Sequence, residues 1–213
     1  MTAREILIAG TNELGISLSA EQVQRFLTYL DILKLWKRKV NLTSVKDDNE
    51  IVIRHFLDSL TIHSFVKRES KLLDVGSGAG FPGIPLKIVN PSIEITLLDS
   101  TQKKVFFVSD VIRKLRLERI NAAWGRAESE DNGVRRRYYD FVISRAVGKV
   151  DKLIEISKPY IAEHGEIILM RGRVGLEEWS NSKVACKEFR LLKFSELVLP
   201  YSRRMRAILV VGR

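Results

Sequence analysis

Ten residues carry the densest chemical signal in this 213-residue chain: Asp74-Val75-Gly76-Ser77-Gly78-Ala79-Gly80-Phe81-Pro82-Gly83. Glycine lacks a Cβ, so such a run turns sharply and brings its backbone close to a ligand. It follows an apolar run and precedes a helix-like segment, the usual position of the ligand crevice in an open parallel sheet. Pro82 and Pro85 suit the first turn of that helix, where a missing N–H costs nothing. The spacing selects among ligands. A dinucleotide site is Gly-x-Gly-x-x-Gly, whose third glycine would fall on Phe81. A phosphate-cradling loop needs Gly-Lys-Ser/Thr, which does not follow. Asp99 ends the next apolar run, 23 residues beyond Gly76. A carboxylate there accepts both ribose hydroxyls of an adenosine. It also stands where it would cap the following helix, and the two roles are compatible.

These residues need a scaffold. Leu72–Val75, Glu94–Leu98, Ile120–Trp124, Phe141–Ser144 and Gly165–Met170 read as buried strands. Between them, Ile84–Val89, Lys103–Leu117 and Val150–Ile161 read as helices, the first stopped by Asn90-Pro91. Such alternation predicts a mainly parallel sheet covered on both faces. Phe189–Leu199 and Met205–Val211, joined by a basic turn, predict an antiparallel pair at the sheet edge. Residues 1–66 read as helices instead. Ser19-Ala20-Glu21-Gln22 has capping-box spacing, and Val23, Phe26, Leu27, Leu30 and Leu33 form one apolar stripe. Asp47-x-x-Glu50 opens a further helix carrying Ile51, Val52, His55, Phe56 and Leu60. The expected fold is α/β: a Rossmann-like sheet over residues 67–213, mostly parallel with an antiparallel C-terminal strand pair. A helical N-terminal subdomain, residues 1–66, packs on that core.

The order Asp-x-Gly-x-Gly-x-Gly resembles motif I of class I methyltransferases, whose cofactor, S-adenosylmethionine, has a sulfonium and a carboxylate but no pyrophosphate. On that resemblance the turn through Gly76, Ser77, Gly78 and Gly80 holds the cofactor and Asp99 takes its ribose. Arg126-Ala127-Glu128 follows the third strand. Glu128 sits beside an adenine, with the Ala127 and Glu128 amides reading the ring edge, or is a surface glutamate; spacing does not choose. Arg145 ends the fourth strand, where an arginine meets a cofactor carboxylate or an RNA phosphate.

Five segments occur in one order: Asn41-Leu42-Thr43-Ser44-Val45, Arg54-His55-Phe56-Leu57-Asp58-Ser59, Phe81-Pro82-Gly83-Ile84-Pro85-Leu86, Leu97-Leu98-Asp99-Ser100 and Ile143-Ser144-Arg145-Ala146. Together they resemble the RsmG (GidB) family of bacterial methyltransferases acting on guanine N7 of 16S rRNA. The resemblance runs from about Gly15 to Val211, and Gly80–Leu86 is its most specific part. It implies a class I methyltransferase fold and S-adenosylmethionine as cofactor. It also implies 16S rRNA, free or in a small-subunit particle, as partner. By motif it implies cofactor contacts at Gly76, Phe81, Ala127, Glu128 and Arg145, with Asp99 on the ribose. Where the family often has Lys-Gly after the fifth strand, this chain has Arg171-Gly172, keeping the charge but not the shape.

Guanine N7 offers an in-plane lone pair and no proton, so no general base is expected. The Asn/Asp-Pro-Pro-Tyr/Phe motif for exocyclic amines is absent, since Lys158-Pro159-Tyr160 does not fit it. The Pro-Cys or Thr-Cys nucleophile of cytosine-C5 enzymes is absent too, since Cys186 follows Ala185. His55 and His63 are expected two turns apart on one helix, as structural histidines before any base or metal pair. His55, with Arg54 and Asp58 spaced to pair around it, and Arg145 are the candidates for the pocket mouth. Two other readings are a methyltransferase for another substrate and a cofactor-sensing RNA-binding protein without turnover.

The net charge of +10 points to a polyanionic partner. Residues 1–66 hold eight basic and eight acidic residues, so the surplus lies wholly in 67–213. Of several basic clusters, Arg171 and Arg173 beyond a strand end, and Arg203, Arg204 and Arg206 in the hairpin turn, are the expected RNA contacts. One cysteine, Cys186, excludes an internal disulfide and a zinc site built on several thiolates; it reads as a small hydrophobe, and no metal is expected. No apolar run nears the roughly 18–20 residues of a membrane span, and Met1-Thr2-Ala3-Arg4-Glu5 lacks the blocks of a signal peptide. The expected compartment is the cytoplasm.

Overall fold

Alternation of side chains along the apolar runs decides the architecture. The computed structural model describes residues 1–145, 148–182 and 185–213, without the side chains of Ala185 and Cys186. The expectations placed on Ala146 and on the Cys186 side chain thus lie outside the described residues. Seven strands form one sheet: β1 (Lys71–Val75), β2 (Glu94–Asp99), β3 (Ile120–Trp124), β4 (Tyr139–Arg145), β5 (Ile161–Arg171), β6 (Arg190–Val198) and β7 (Met205–Gly212). Their order is β3-β2-β1-β4-β5-β7-β6. The first five run parallel, and β7 is antiparallel to both β5 and β6. Chain order reverses between β1 and β4, so the turn after β1 opens at the switch point where such sheets bind ligands.

Because side chains alternate along a strand, two apolar layers arise. Leu72, Ile95, Phe141, Ile143, Ile168 and Ile208 face one way, onto α2 (Ala20–Lys37), α5 (Gly83–Val89) and α6 (Gln102–Lys114). Leu73, Leu98, Val142, Ile167 and Leu209 face the other, onto α7 (Val150–Ser157) and Trp179 of α8 (Gly175–Ser180). The N-terminal helices share the first layer. Phe26, Tyr29 and Phe56 are fully buried there, each burial worth roughly 1.5–3 kcal/mol.

Ser19 and Gln22 form the expected capping box on α2. Gln22 also donates to Ile88 O and Val89 O at the end of α5, at 3.0 and 3.2 Å. A second capping box, Thr2 with Glu5, opens α1 (Ala3–Glu13) on the Thr-x-x-Glu spacing of the sequence.

Two expected helices are shaped differently. The one expected over Val150–Ile161 ends at Ser157, and β5 begins at Ile161. Pro159 lacks the N–H that a continuing helix needs, and the Tyr138 and Tyr139 amides bond Tyr160 O, pulling this stretch into the sheet. The helix carrying His55 runs as α3 (Asp48–Ile51), a π-helical turn (Val52–Leu57) and α4 (Asp58–Leu60), and His63 sits in a separate 3-10 turn, His63–Phe65. His55 and His63 therefore do not share a helix. The π turn, marked by Asp58 N–H bonding Ile53 O, also breaks the i, i+4 geometry expected for Arg54 and Asp58. Arg54 lies 4.0 Å from Glu50 instead. No helix among the described residues is long and apolar enough to cross a membrane.

Candidate active site

The glycine turn is fixed from three sides. Gly76, Gly78 and Gly80 have φ of 72°, 60° and 85°, values that favour glycine. The Gly76 and Ser77 amides both bond Leu98 O, at 2.8 and 3.1 Å. Asp99 Oδ2 accepts from Gly78 N at 2.8 Å and Oδ1 from Thr101 N at 2.8 Å. Thr101, not Asp99, is the N-cap of α6, so Asp99 ties the turn to the helix entry instead of capping the helix. Each carboxylate oxygen keeps a second lone pair for a hydroxyl donor.

At the far end of the turn, Gly83 N donates to Asp74 Oδ2 at 2.9 Å. A Cβ on Gly83 would lie 2.3 Å from Leu97 Cδ2, so glycine lets α5 start directly against β2. Asp74 is fully buried, and burial pushes its carboxyl up to about 7, opposed by the Gly83 amide and by Arg145. From beneath, the Tyr29 hydroxyl of α2 donates to Ala79 O, and its ring stacks on Phe56 at 5.2 Å. Burial raises the Tyr29 pKa well above its ordinary value, so this hydroxyl stays a donor.

Two clefts flank the turn. The first, about 260 Å³, is lined by Gly76, Asp99, Ser100, Ala127, Glu128 and Lys152 among others. Tyr160 donates to Ala127 O at 2.6 Å, and Lys152 lies 3.5 Å from Glu128. The Trp124 indole N–H bonds Ser100 O at 3.1 Å. Two carboxylates, Asp99 and Glu128, and two cations, Arg126 and Lys152, balance in its lining. Its small backbone-rich floor and its carboxylate at ribose position fit an adenosyl group joined to an amino acid.

The second cleft, about 400 Å³, is lined by Arg54, His55, Asp58, Arg145, Arg171, Glu178, Arg204 and Arg206 among others. The His55 ring stacks on Phe81 at 4.8 Å and 13°, and the Arg145 guanidinium lies 5.1 Å above the same ring. Arg145 bonds Arg54 O at 3.3 Å, Asp58 Oδ2 at 3.2 Å and His55 Nδ1 at 3.3 Å. Asp58 Oδ1 accepts from Arg206 Nε. Since a guanidinium only donates, His55 Nδ1 must accept, and Nε2 carries the proton toward Thr43 Oγ1, 2.7 Å away. Burial, then Arg145 and Arg54, lower the His55 pKa to about 3; the ring is neutral at physiological pH.

The expected site residues thus separate into two groups. Gly76, Asp99, Ala127 and Glu128 meet in the first cleft; His55, Arg145, Arg171, Arg204 and Arg206 meet in the second. Phe81 lines neither cleft but packs against His55 and Arg145 of the second, and Ser77, Gly78 and Gly80 shape the turn. Arg173 and Arg203 are exposed and line neither cleft. Arg171 turns inward, its side chain only 10% exposed and doubly bonded to Glu178. Sequence reasoning did not single out Tyr29, Glu178 or Asp58 as the centre of an arginine pair. Tyr29 sits beside the apolar stripe of α2, and Asp58 lies in a quoted motif; nothing local marks Glu178.

A family model described as rRNA small subunit methyltransferase G matches residues 22–204. A protein named Ribosomal RNA small subunit methyltransferase G from Alkaliphilus metalliredigens is 39% identical over 218 residues, covering 100% of this chain and 91% of the relative. One of the same name from Thermoanaerobacter sp. is 40% identical over 214 residues, covering 98% and 89%. Among solved structures, a SAM dependent methyltransferase from Aquifex aeolicus matches with TM-score 0.59 and 16% identity, over 86% of this chain and 97% of that one. A predicted O-methyltransferase from Agrobacterium tumefaciens matches with TM-score 0.58 and 18% identity, over 74% and 80%. Both share the fold.

Proposed function

The chain belongs to the rRNA small subunit methyltransferase G family, and on that premise we propose that it transfers the methyl group of S-adenosylmethionine to N7 of a guanine in 16S rRNA. It is an S-adenosylmethionine-dependent rRNA methyltransferase; the atom modified and the residue roles are our reading. When bound, the cofactor supplies an electrophilic methyl on a sulfonium. The chain's part is to bind, orient and shield. Asp99 accepts the ribose hydroxyls, and the backbone of Ala127 with Glu128 flanks the adenine. Gly76, Ser77, Gly78, Gly80 and Phe81 cradle the amino-acid end. Arg145 spends three of its five N–H donors on Arg54 O, Asp58 and His55, which leaves two for the cofactor carboxylate.

One observation carries the proposal: the glycine turn joins the two clefts, lining the first through Gly76 and packing Phe81 on His55 and Arg145 of the arginine-walled second. An in-line displacement needs a donor and an acceptor held on either side of one point. Guanine N7 suits this site because it gives up no proton. His55 is committed at both nitrogens and neutral. Asp58 is held by two arginines, and Asp74 is buried beneath the turn. None of these three is poised as a base. Arg171, Arg173, Arg203, Arg204 and Arg206 form the RNA-facing rim in this reading. Residues 1–66 act as a helical subdomain that supplies Tyr29, Thr43, His55 and Asp58 to a methyltransferase domain over 67–213. With rRNA as substrate, the proposed setting is the cytoplasm.

The test is transfer from methyl-labelled S-adenosylmethionine to small-subunit RNA, free and in the particle, followed by cleavage chemistry specific for N7-methylguanine. We expect label at one guanine, released by that chemistry. Label on another base or a ribose overturns the N7 assignment, and transfer to neither substrate overturns the whole reading.

A further inference from the structure

Resting on the proposed guanine-N7 activity, we infer that Glu178 is the residue that selects guanine, by accepting hydrogen bonds from its N1–H and N2 amine in the second cleft. The geometry of the base comes first. To present N7 to a methyl donor held at the turn, a guanine in this cleft turns its N7/O6 edge toward His55 and Arg145, which pack on Phe81 of that turn. Its other edge, which carries only donors apart from O6, then points to the opposite wall. A donor edge needs an acceptor. Flipped bases are read in this way, through their Watson–Crick edge.

Two carboxylates line the cleft, and they differ in what they have to spare. The Asp58 side chain is 4% exposed, with one oxygen on Arg145 and the other on Arg206. Glu178 is 35% exposed, and Arg171 grips it only through Oε2, using both Nε and a terminal nitrogen. That grip leaves Oε1 outside the ion pair, on a side chain that lines the cleft. The helix that bears it is set close by glycine. At Gly175, the first residue of α8, a Cβ would meet Arg171 Cβ at 2.8 Å and Ala207 Cβ at 2.9 Å. Arg171 thus becomes the positioning residue for Glu178. Its charge still borders the RNA path, but its guanidinium is spent on aiming a carboxylate. At 400 Å³ the cleft is of the size that encloses small ligands.

The test uses an RNA in which the modified guanosine, once mapped, is replaced by inosine through ligation. Inosine keeps N7, O6 and N1–H and lacks only the N2 amine. The unaltered protein is expected to methylate the inosine RNA roughly 5- to 150-fold more slowly, the discrimination of one good paired base contact. Glu178→Gln is expected to bring the two rates together while leaving cofactor affinity, measured by equilibrium dialysis, within twofold. Equal rates on both RNAs with the unaltered protein overturn the assignment without recourse to any variant. So does a Glu178→Gln protein that folds and discriminates as before. Failure of the unaltered protein to modify any guanosine is a different result, and it overturns the activity on which the inference rests.

Discussion

Replacing Asp58 by asparagine keeps the shape of the side chain and removes the charge between Arg145 and Arg206. In the native protein Asp58 is 4% exposed, and the two arginines are 19% and 20% exposed. The substitution leaves two largely buried guanidinium groups around one neutral amide. Removing one partner of a buried ion pair costs about 3–5 kcal/mol. Each arginine keeps about a fifth of its surface in water, so the lower end applies, about 3 kcal/mol. For a chain of this length that corresponds to a melting temperature lower by about 6–12 °C. Urea unfolding monitored by far-ultraviolet dichroism reads the loss directly, provided the slope is unchanged. A double-mutant cycle sharpens it. Arg206→Met in the Asp58→Asn background removes the surplus cation, so the double variant is expected to lose at least about 1.5 kcal/mol less than the sum of the singles. An Asp58→Asn protein within about 1 kcal/mol of the parent, or strict additivity in the cycle, would refute the claim that this carboxylate holds the two arginines in place.

Tyr29→Phe deletes the hydroxyl that meets Ala79 O under the turn and leaves a buried carbonyl unpaired. We expect a loss of about 1–3 kcal/mol in denaturant titrations, together with weaker cofactor binding in dialysis. His55 has a folded pKa of about 3, below its unfolded value near 6.5. The unfolded chain therefore binds the proton first, and stability falls as pH drops from about 6.5 toward 3. At pH 5 the penalty is up to about 2 kcal/mol, so a His55→Gln variant should lose less stability than the parent between pH 7 and pH 5; parallel losses would count against it.

The first cleft was largely legible because its signals are local. Strand alternation, the glycine spacing and a carboxylate at the next strand end all lie within short windows, and local windows determine local backbone. The second cleft was not. Its central ion pairs join Asp58 to Arg145 and to Arg206, 87 and 148 residues away, and no periodicity encodes such pairing. The π turn at Val52–Leu57 hid Asp58 further, since a 3.6-residue period pairs it with Arg54. Arg171 shows the limit from the other side. A charge beyond a strand end reads as solvent-facing, and only the fold reveals that α8 brings Glu178 against it. Ile161 reads as helical because a short apolar run after a helix looks the same whether it continues or becomes a strand.

β7 lies between β5 and β6, although it follows both in the chain. A growing polypeptide that has emerged only as far as β6 has no partner strand for β6, and Arg206 is not yet available to Asp58. Sheet closure and completion of the second cleft then become a single event, which waits for residues 205–212. Vectorial synthesis thus has a built-in delay. Folding dominated by such long separations is slow, and the second cleft depends on β7, the last strand in chain order.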